Sequence, residues 1–160
     1  MQKIVEDEDT NSTFIECRND GLFFSIVSFN TTVRPSAIIN YNKPTNQDIF
    51  IDLSNVAIIK LQYQLLLDTT GIPFGRMRIR DLSGNQRESV ISLASLINVI
   101  TERAWIINQF TGSINFDLSK IVSLVIICET SPLIRIHARF ISIVSESISG
   151  GIGSINTCGY

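Results

Sequence analysis

The sequence predicts an all-β protein, an antiparallel β-sandwich of jelly-roll type with about eight strands and flexible N- and C-terminal arms. Three observations lead there. The 160 residues include 27 Ile, and β-branched side chains lose rotamer freedom in helices but pack well on a pleated sheet. Apolar and polar residues alternate with a period of two through several segments, most cleanly in GRMRIR at 75–80. Turn chemistry separates the apolar runs at roughly 8–15-residue spacing, with no alternation of strand and helix patterns. An AT-rich coding bias, which raises Ile and Asn together, is a competing source of the Ile excess.

Three segments follow from this pattern: an acidic arm at 1–12, a sandwich domain at 13–148 and a Gly/Ser-rich arm at 149–160. In the first, Glu6, Asp7, Glu8 and Asp9 repel one another and disfavour packing. Thr13–Cys17 and Leu22–Phe29 flank Asn19-Asp20-Gly21, a hairpin turn signal. After the loop-like stretch Tyr41–Gln47 come a strand at Asp48–Leu53 and a long one at Val56–Leu67. In the latter, Lys60, Gln62 and Gln64 face one way and Ile59, Leu61, Tyr63 and Leu65 the other. In Gly75–Arg80, Arg76, Arg78 and Arg80 take the solvent face while Met77 and Ile79 take the core; Leu82–Asn85 is a turn. Ser89–Trp105 fits either one amphipathic helix or two strands broken near Asn98, and its strand-rich flanks favour strands. Ser113–Leu118, Val122–Cys128 and Leu133–Ser145 are the last three strands. The closing run SGGIGSINTCGY reads as a flexible arm that carries Cys158.

Composition narrows the function classes. Hydrophobic residues make up 44% and charged residues 18%, with a mean hydropathy of +0.24, a balance that excludes a solvating disordered chain. A net charge of −2 gives no global basic field, so nucleic acid is not an expected partner. The first apolar run, Gly21–Phe29, is too short to span a bilayer, so no membrane partner is expected. The acidic start MQKIVEDEDTNST lacks the positive region and apolar stretch of a signal peptide. Synthesis in the cytoplasm is the expectation, with release by lysis as a route to a surface.

Little in the sequence carries chemistry, and no cofactor is implied. The single imidazole, His137, sits between Arg135 and Arg139 with no nucleophile motif nearby. There is no P-loop, dinucleotide fingerprint or H-E-x-x-H. Asp48, Asp52, Asp68, Asp81 and Asp117 sit at strand ends, where Asp makes turns, and three Cys with one His make a poor zinc set. Catalysis is disfavoured. The non-random feature is a pair of basic stripes, Arg76–Arg78–Arg80 and Arg135–His137–Arg139, which read as an anion-binding or subunit-contact surface or as an ordinary solvated face. Glu6–Asp9 would complement them on a neighbouring copy. Cys17 and Cys128 fall in strands, whereas Cys158 is placed for an intermolecular cross-link.

The phrase LQYQLLLD at 61–68 and the run IRIHARFI at 134–141 resemble segments of jelly-roll subunits from bacterial spore surfaces and spore appendages. The likeness spans roughly residues 56–145. Appendage subunits carry a cysteine in an N-terminal connector, whereas here the tail thiol lies at the other end. The resemblance implies a structural subunit that self-assembles into a surface layer or filament, with itself or other surface proteins as partners. The alternatives are a carbohydrate- or receptor-binding β-sandwich and a viral shell subunit. A glycan binder needs exposed aromatic platforms, for which Trp105, Tyr41 and Tyr63 are the candidates; Trp105 beside Ile106 and Ile107 reads better as core.

Overall fold

The structure is a computed structural model that describes residues 2–5, 13–18, 21–28, 35–40, 50–66 and 70–154. The strands are β1 (Gln2–Val5), β2 (Thr13–Arg18), β3 (Gly21–Ser28), β4 (Pro35–Asn40), β5 (Val56–Leu65) and β6 (Thr70–Asp81). They continue with β7 (Gln86–Ser92), β8 (Ile100–Ile106), β9 (Thr111–Gly112), β10 (Ile121–Ser147) and β11 (Ile152–Ser154). The only helical turn among the described residues is the short 3-10 segment Ile107–Gln109. No described helix is long and apolar enough to cross a membrane.

All described pairings between strands are antiparallel, and they form two sheets that pack together as a β-sandwich. The first sheet runs β1-β4-β10-β6-β7-β9. The second runs β2-β3-β10-β5-β8, with β11 also paired to β10. Strand β10 belongs to both: its N-terminal part lies between β4 and β6, its C-terminal part between β3 and β5. The sequence pattern divides it into Val122–Cys128 and Leu133–Ser145, yet the chain runs through Pro132 without a break. Register slips between Ser131 and Arg135, and a proline without an N–H is tolerated where the ladder is already irregular.

The core is the zip between the inner faces. Met77, Ile79, Leu124 and Ile126 from the first sheet meet Ile59, Leu61, Tyr63, Trp105, Ala138 and Phe140 from the second, all fully buried. The two polar aromatics find partners, as buried N–H and O–H groups must. Trp105 Nε1 donates to the carbonyl of Gly75 at 3.2 Å, crossing from β8 to β6. Tyr63 Oη donates to the carbonyl of Leu93 at 2.9 Å, and its ring lies 6.3 Å from that of Phe140. A Cβ at Gly75 would stand 3.2 Å from the Trp105 ring, so the small residue lets the indole seat against the opposite strand.

Three local expectations are corrected and one open alternative is resolved. Asp48–Leu53 is not a strand in its described part: Ile51 makes one bridge to Ile121, then Asp52 accepts from the backbone N–H and hydroxyl of Ser54 at 2.8 and 2.5 Å and turns the chain. Ser113–Leu118 is also irregular; the pairing there is the two-residue β9, and Asp117 makes the same turn with Ser119. Ser89–Trp105 is strand, loop and strand, broken where expected, with Asn98 in the left-handed region at φ 61°. Finally, the sheets reach into both expected arms, since β1 pairs with β4 and β11 with β10; a strand edge can recruit even a Gly-rich segment through its backbone alone.

Candidate functional site

Alternation along β6 sends Gly75, Met77 and Ile79 inward and Phe74, Arg76, Arg78 and Arg80 outward. Register then builds a surface around this row. On β7, Val90 stands opposite Arg76, Glu88 opposite Arg78 and Gln86 opposite Arg80. On the other flank, β10 places Ile127 opposite Arg76, Val125 opposite Arg78 and Ser123 opposite Arg80. The face is therefore a central basic strand with an acceptor-bearing strand on one side and, on the other, a flank of β10 on which Ile127 and Ser123 are buried and Val125 is half-buried. Phe74, half-buried, sets an aromatic ring at the end of the row.

Glu88 ties the row together. Arg76 Nη1 donates to Glu88 Oε1 at 2.5 Å, and Arg78 Nε donates to Glu88 Oε2 at 3.2 Å. Partial burial pushes the Glu88 carboxyl up, but the hydrogen bonds from Arg78 and Arg76 outweigh it and hold the group below its ordinary value of 4.5. Arg80 is exposed and has no ion-pair partner among the described residues.

Beside Glu88 the sheet ends in a depression of about 330 Å³ lined by Gln86, Arg87, Glu88, Thr111 and Gly112. Arg87 lies across its wall, donating to the carbonyls of Ser113 and Ile114 at 2.9 and 3.2 Å and stacking over Phe116 at 5.1 Å. Gly112 is at φ 147°, and a Cβ there would come within 2.3 Å of the Gln86 carbonyl oxygen. Only glycine lets β9 approach β7 this closely.

The end of this face is fixed by Asp81, only 1% exposed. Its carboxylate accepts from the Asn85 N–H and side-chain amide at 2.8 and 3.0 Å and from the Asp117 N–H at 3.1 Å. Burial pushes this carboxyl up; the hydrogen bonds from Asn85, Asp117 and Ser83 prevail and hold it below its ordinary 3.8. Asp81 thus staples the β6–β7 turn to the loop that precedes β10. It opens one of three Asp-Leu-Ser tripeptides, at 52–54, 81–83 and 117–119. All three meet here, with Leu53 N–H donating to Leu118 O and Leu82 N–H to Lys120 O, at 2.8 and 2.9 Å. The repeated tripeptide was a usable sequence signal for this corner. Among the described residues no three His, Cys, Asp or Glu gather to hold a metal ion.

The predicted site residues separate. Arg76, Arg78 and Arg80 form one row, whereas the backbone of Arg135 pairs with Thr70 and that of Arg139 with Gln64 and Ser25, in the other half of β10. The side chains of Arg135, His137 and Arg139, together with Glu6, Asp7, Glu8, Asp9 and Cys158, lie outside the described residues. Of the aromatic candidates, Trp105 and Tyr63 are fully buried and Tyr41 lies outside the description. Two residues escaped the sequence reading. Glu88 was hidden because its value depends on cross-strand register, and Phe74 because it precedes the alternating segment that marked the strand.

No protein-family model matches the sequence, and neither does any curated protein. Solved structures do match in shape. The family 11 carbohydrate-binding module of the cellulosomal cellulase Lic26A-Cel5E from Clostridium thermocellum aligns with a TM-score of 0.59 at 12% identity, over 91% of this chain and 86% of the module. The same type of module, in complex with a β-1,3-1,4-mixed-linked tetrasaccharide, gives 0.57 at 12% identity, over 89% and 85%. An agarase aligns at 0.55 and 13% identity over 91% of this chain, which spans only 22% of that enzyme. None of these bears on the resemblance to spore-surface subunits. At such identities the likeness is one of architecture: this chain is a jelly-roll β-sandwich of the kind that carbohydrate-binding modules adopt.

Proposed function

We propose that the chain is a non-catalytic carbohydrate-binding module whose ligand lies across the open face of the first sheet. One observation carries this reading: Glu88 is clamped by Arg76 and Arg78 at the rim of a depression of about 330 Å³. Sugar hydroxyls need donors and acceptors held at fixed spacing, and a carboxylate locked by two guanidinium groups on a rigid ladder supplies both with little ordering cost on binding. Phe74 offers an apolar face for a pyranose ring, the part that Trp105 and Tyr63 do not play because they fill the core. The fold supports the reading by analogy only.

The test is affinity electrophoresis of the purified chain through gels cast with a panel of soluble polysaccharides. Retardation by at least one, lost in Glu88→Ala while the fold is retained, is the expected result. Migration unchanged by every polysaccharide would remove the proposal. Light scattering separates it from self-assembly: a binding module runs at 17.9 kDa. A polymer that reductant dissolves would instead favour an assembling subunit linked through Cys158.

A further inference from the structure

We infer that the glycan taken by this face is acidic, a polysaccharide of uronic acid units whose carboxylates are read by the arginine row. The inference rests on the proposal above and concerns the same site. Its first support is the charge census of the face. Three arginines stand at alternate positions of β6, their Cα atoms about 6–7 Å apart by strand rise, and the described carboxylate among them, Glu88, is engaged by two. Arg80 is the third. Its cross-strand neighbours, Gln86 and Ser123, are neutral. Asp81, next to it in sequence, is buried and already satisfied by Asn85 and Asp117. At Gly84 in the β6–β7 turn an added Cβ would stand 3.6 Å from Arg80 Nη2, in ordinary contact, so the turn has no side chain at that position to cover the guanidinium.

The second support is placement. The depression is lined by Gln86 and Glu88, the register partners of Arg80 and Arg78. Its volume of about 330 Å³ falls at the small end of ligand pockets, which run from about 300 Å³ upward. A sugar ring seated there would offer hydroxyls to Gln86 and Glu88 and hold its carboxylate toward Arg80, whose planar fork matches a carboxylate bidentately. The third is the rest of the molecule. With a net charge of −2 the protein has no general attraction for a polyanion, so any such binding must come from a local feature.

The experiment compares the full chain on polygalacturonate, neutral mixed-linkage β-glucan and dextran sulfate, at low and high salt, with Arg80→Ala, Arg80→Lys and Lys60→Ala. The expected result is preferential binding to polygalacturonate that weakens with salt, falls about tenfold or more in Arg80→Ala, is partly rescued in Arg80→Lys and is unchanged in Lys60→Ala. Tighter binding to the neutral glucan, or an Arg80→Ala protein that binds like the parent, overturns the acidic assignment and leaves the glycan site standing. Equal binding to dextran sulfate overturns recognition of the carboxylate in favour of charge alone. Binding to none of the three overturns this assignment; if the wider polysaccharide panel also fails, the proposal beneath it falls too.

Discussion

The two open faces of the sandwich begin from the same sequence pattern and end differently. On the second sheet, Lys60, Gln62 and Gln64 alternate with buried residues just as Arg76, Arg78 and Arg80 do on the first. Yet each finds a partner across the strands. Lys60 Nζ lies 2.8 Å from Glu146 and 3.8 Å from Glu102, the Ser142 hydroxyl donates to Gln62 Oε1 at 3.1 Å, and Gln64 Nε2 donates to the Asn98 carbonyl at 2.8 Å. That face is laced to itself. The first face has one carboxylate shared by two arginines, a third arginine without a partner among the described residues, and a depression at its rim. Alternation marks a solvated face; the cross-strand inventory decides whether the face has capacity left for a ligand.

The largest effect should come from the layer that both faces share. Trp105→Ala would empty the centre of the core and orphan the Gly75 carbonyl, costing about 3–5 kcal/mol; the checking measurement is urea unfolding. Both faces should be lost together, and a variant of near-parental stability would mean that the sheets hold without this contact. Next is Asp81→Ala, which leaves the donors of Ser83, Asn85 and Asp117 without their acceptor and should cost about 1–3 kcal/mol, with weaker glycan binding because the end of the first face loosens.

The same carboxylates set a pH dependence. Asp81 and Glu88 are held below their ordinary 3.8 and 4.5, so the stability they contribute is fully present above those values. It is lost as pH falls through the depressed folded values. Thermal melts should therefore drop progressively below about pH 4, and Asp81→Asn should flatten that slope. A slope identical in parent and variant would show that other groups govern the acid limb.

A narrower test is Gly112→Ala. The methyl group has no room against the Gln86 carbonyl, so β9 should detach from β7 and the depression open, abolishing binding while most of the core persists. Retained affinity would place the ligand away from the rim. The smallest effect belongs to the laced face: Lys60→Ala should leave both the melting temperature and glycan binding close to parental, as expected of a solvent-accessible surface ion pair. A loss of binding there would reverse the assignment of the two faces.

The sequence by itself determined what is local. Inward and outward residues of β5 and of β6 from 75 onward, the turn at 82–85, the break at Asn98 and the core placement of Trp105 all follow from period-two alternation and turn chemistry, which need no knowledge of neighbours. Strand continuity through Pro132, the irregular paths at 50–55 and 113–120, and the recruitment of β1 and β11 were decided only in the tertiary structure. A ladder is made by backbone groups of distant segments, and an Asp that can bond its own chain two residues on will leave the ladder for a turn. The site divides in the same way. Its arginine row was legible in GRMRIR, but Glu88, the depression and the open position of Arg80 exist only because register sets β7 beside β6 and β9 beside β7.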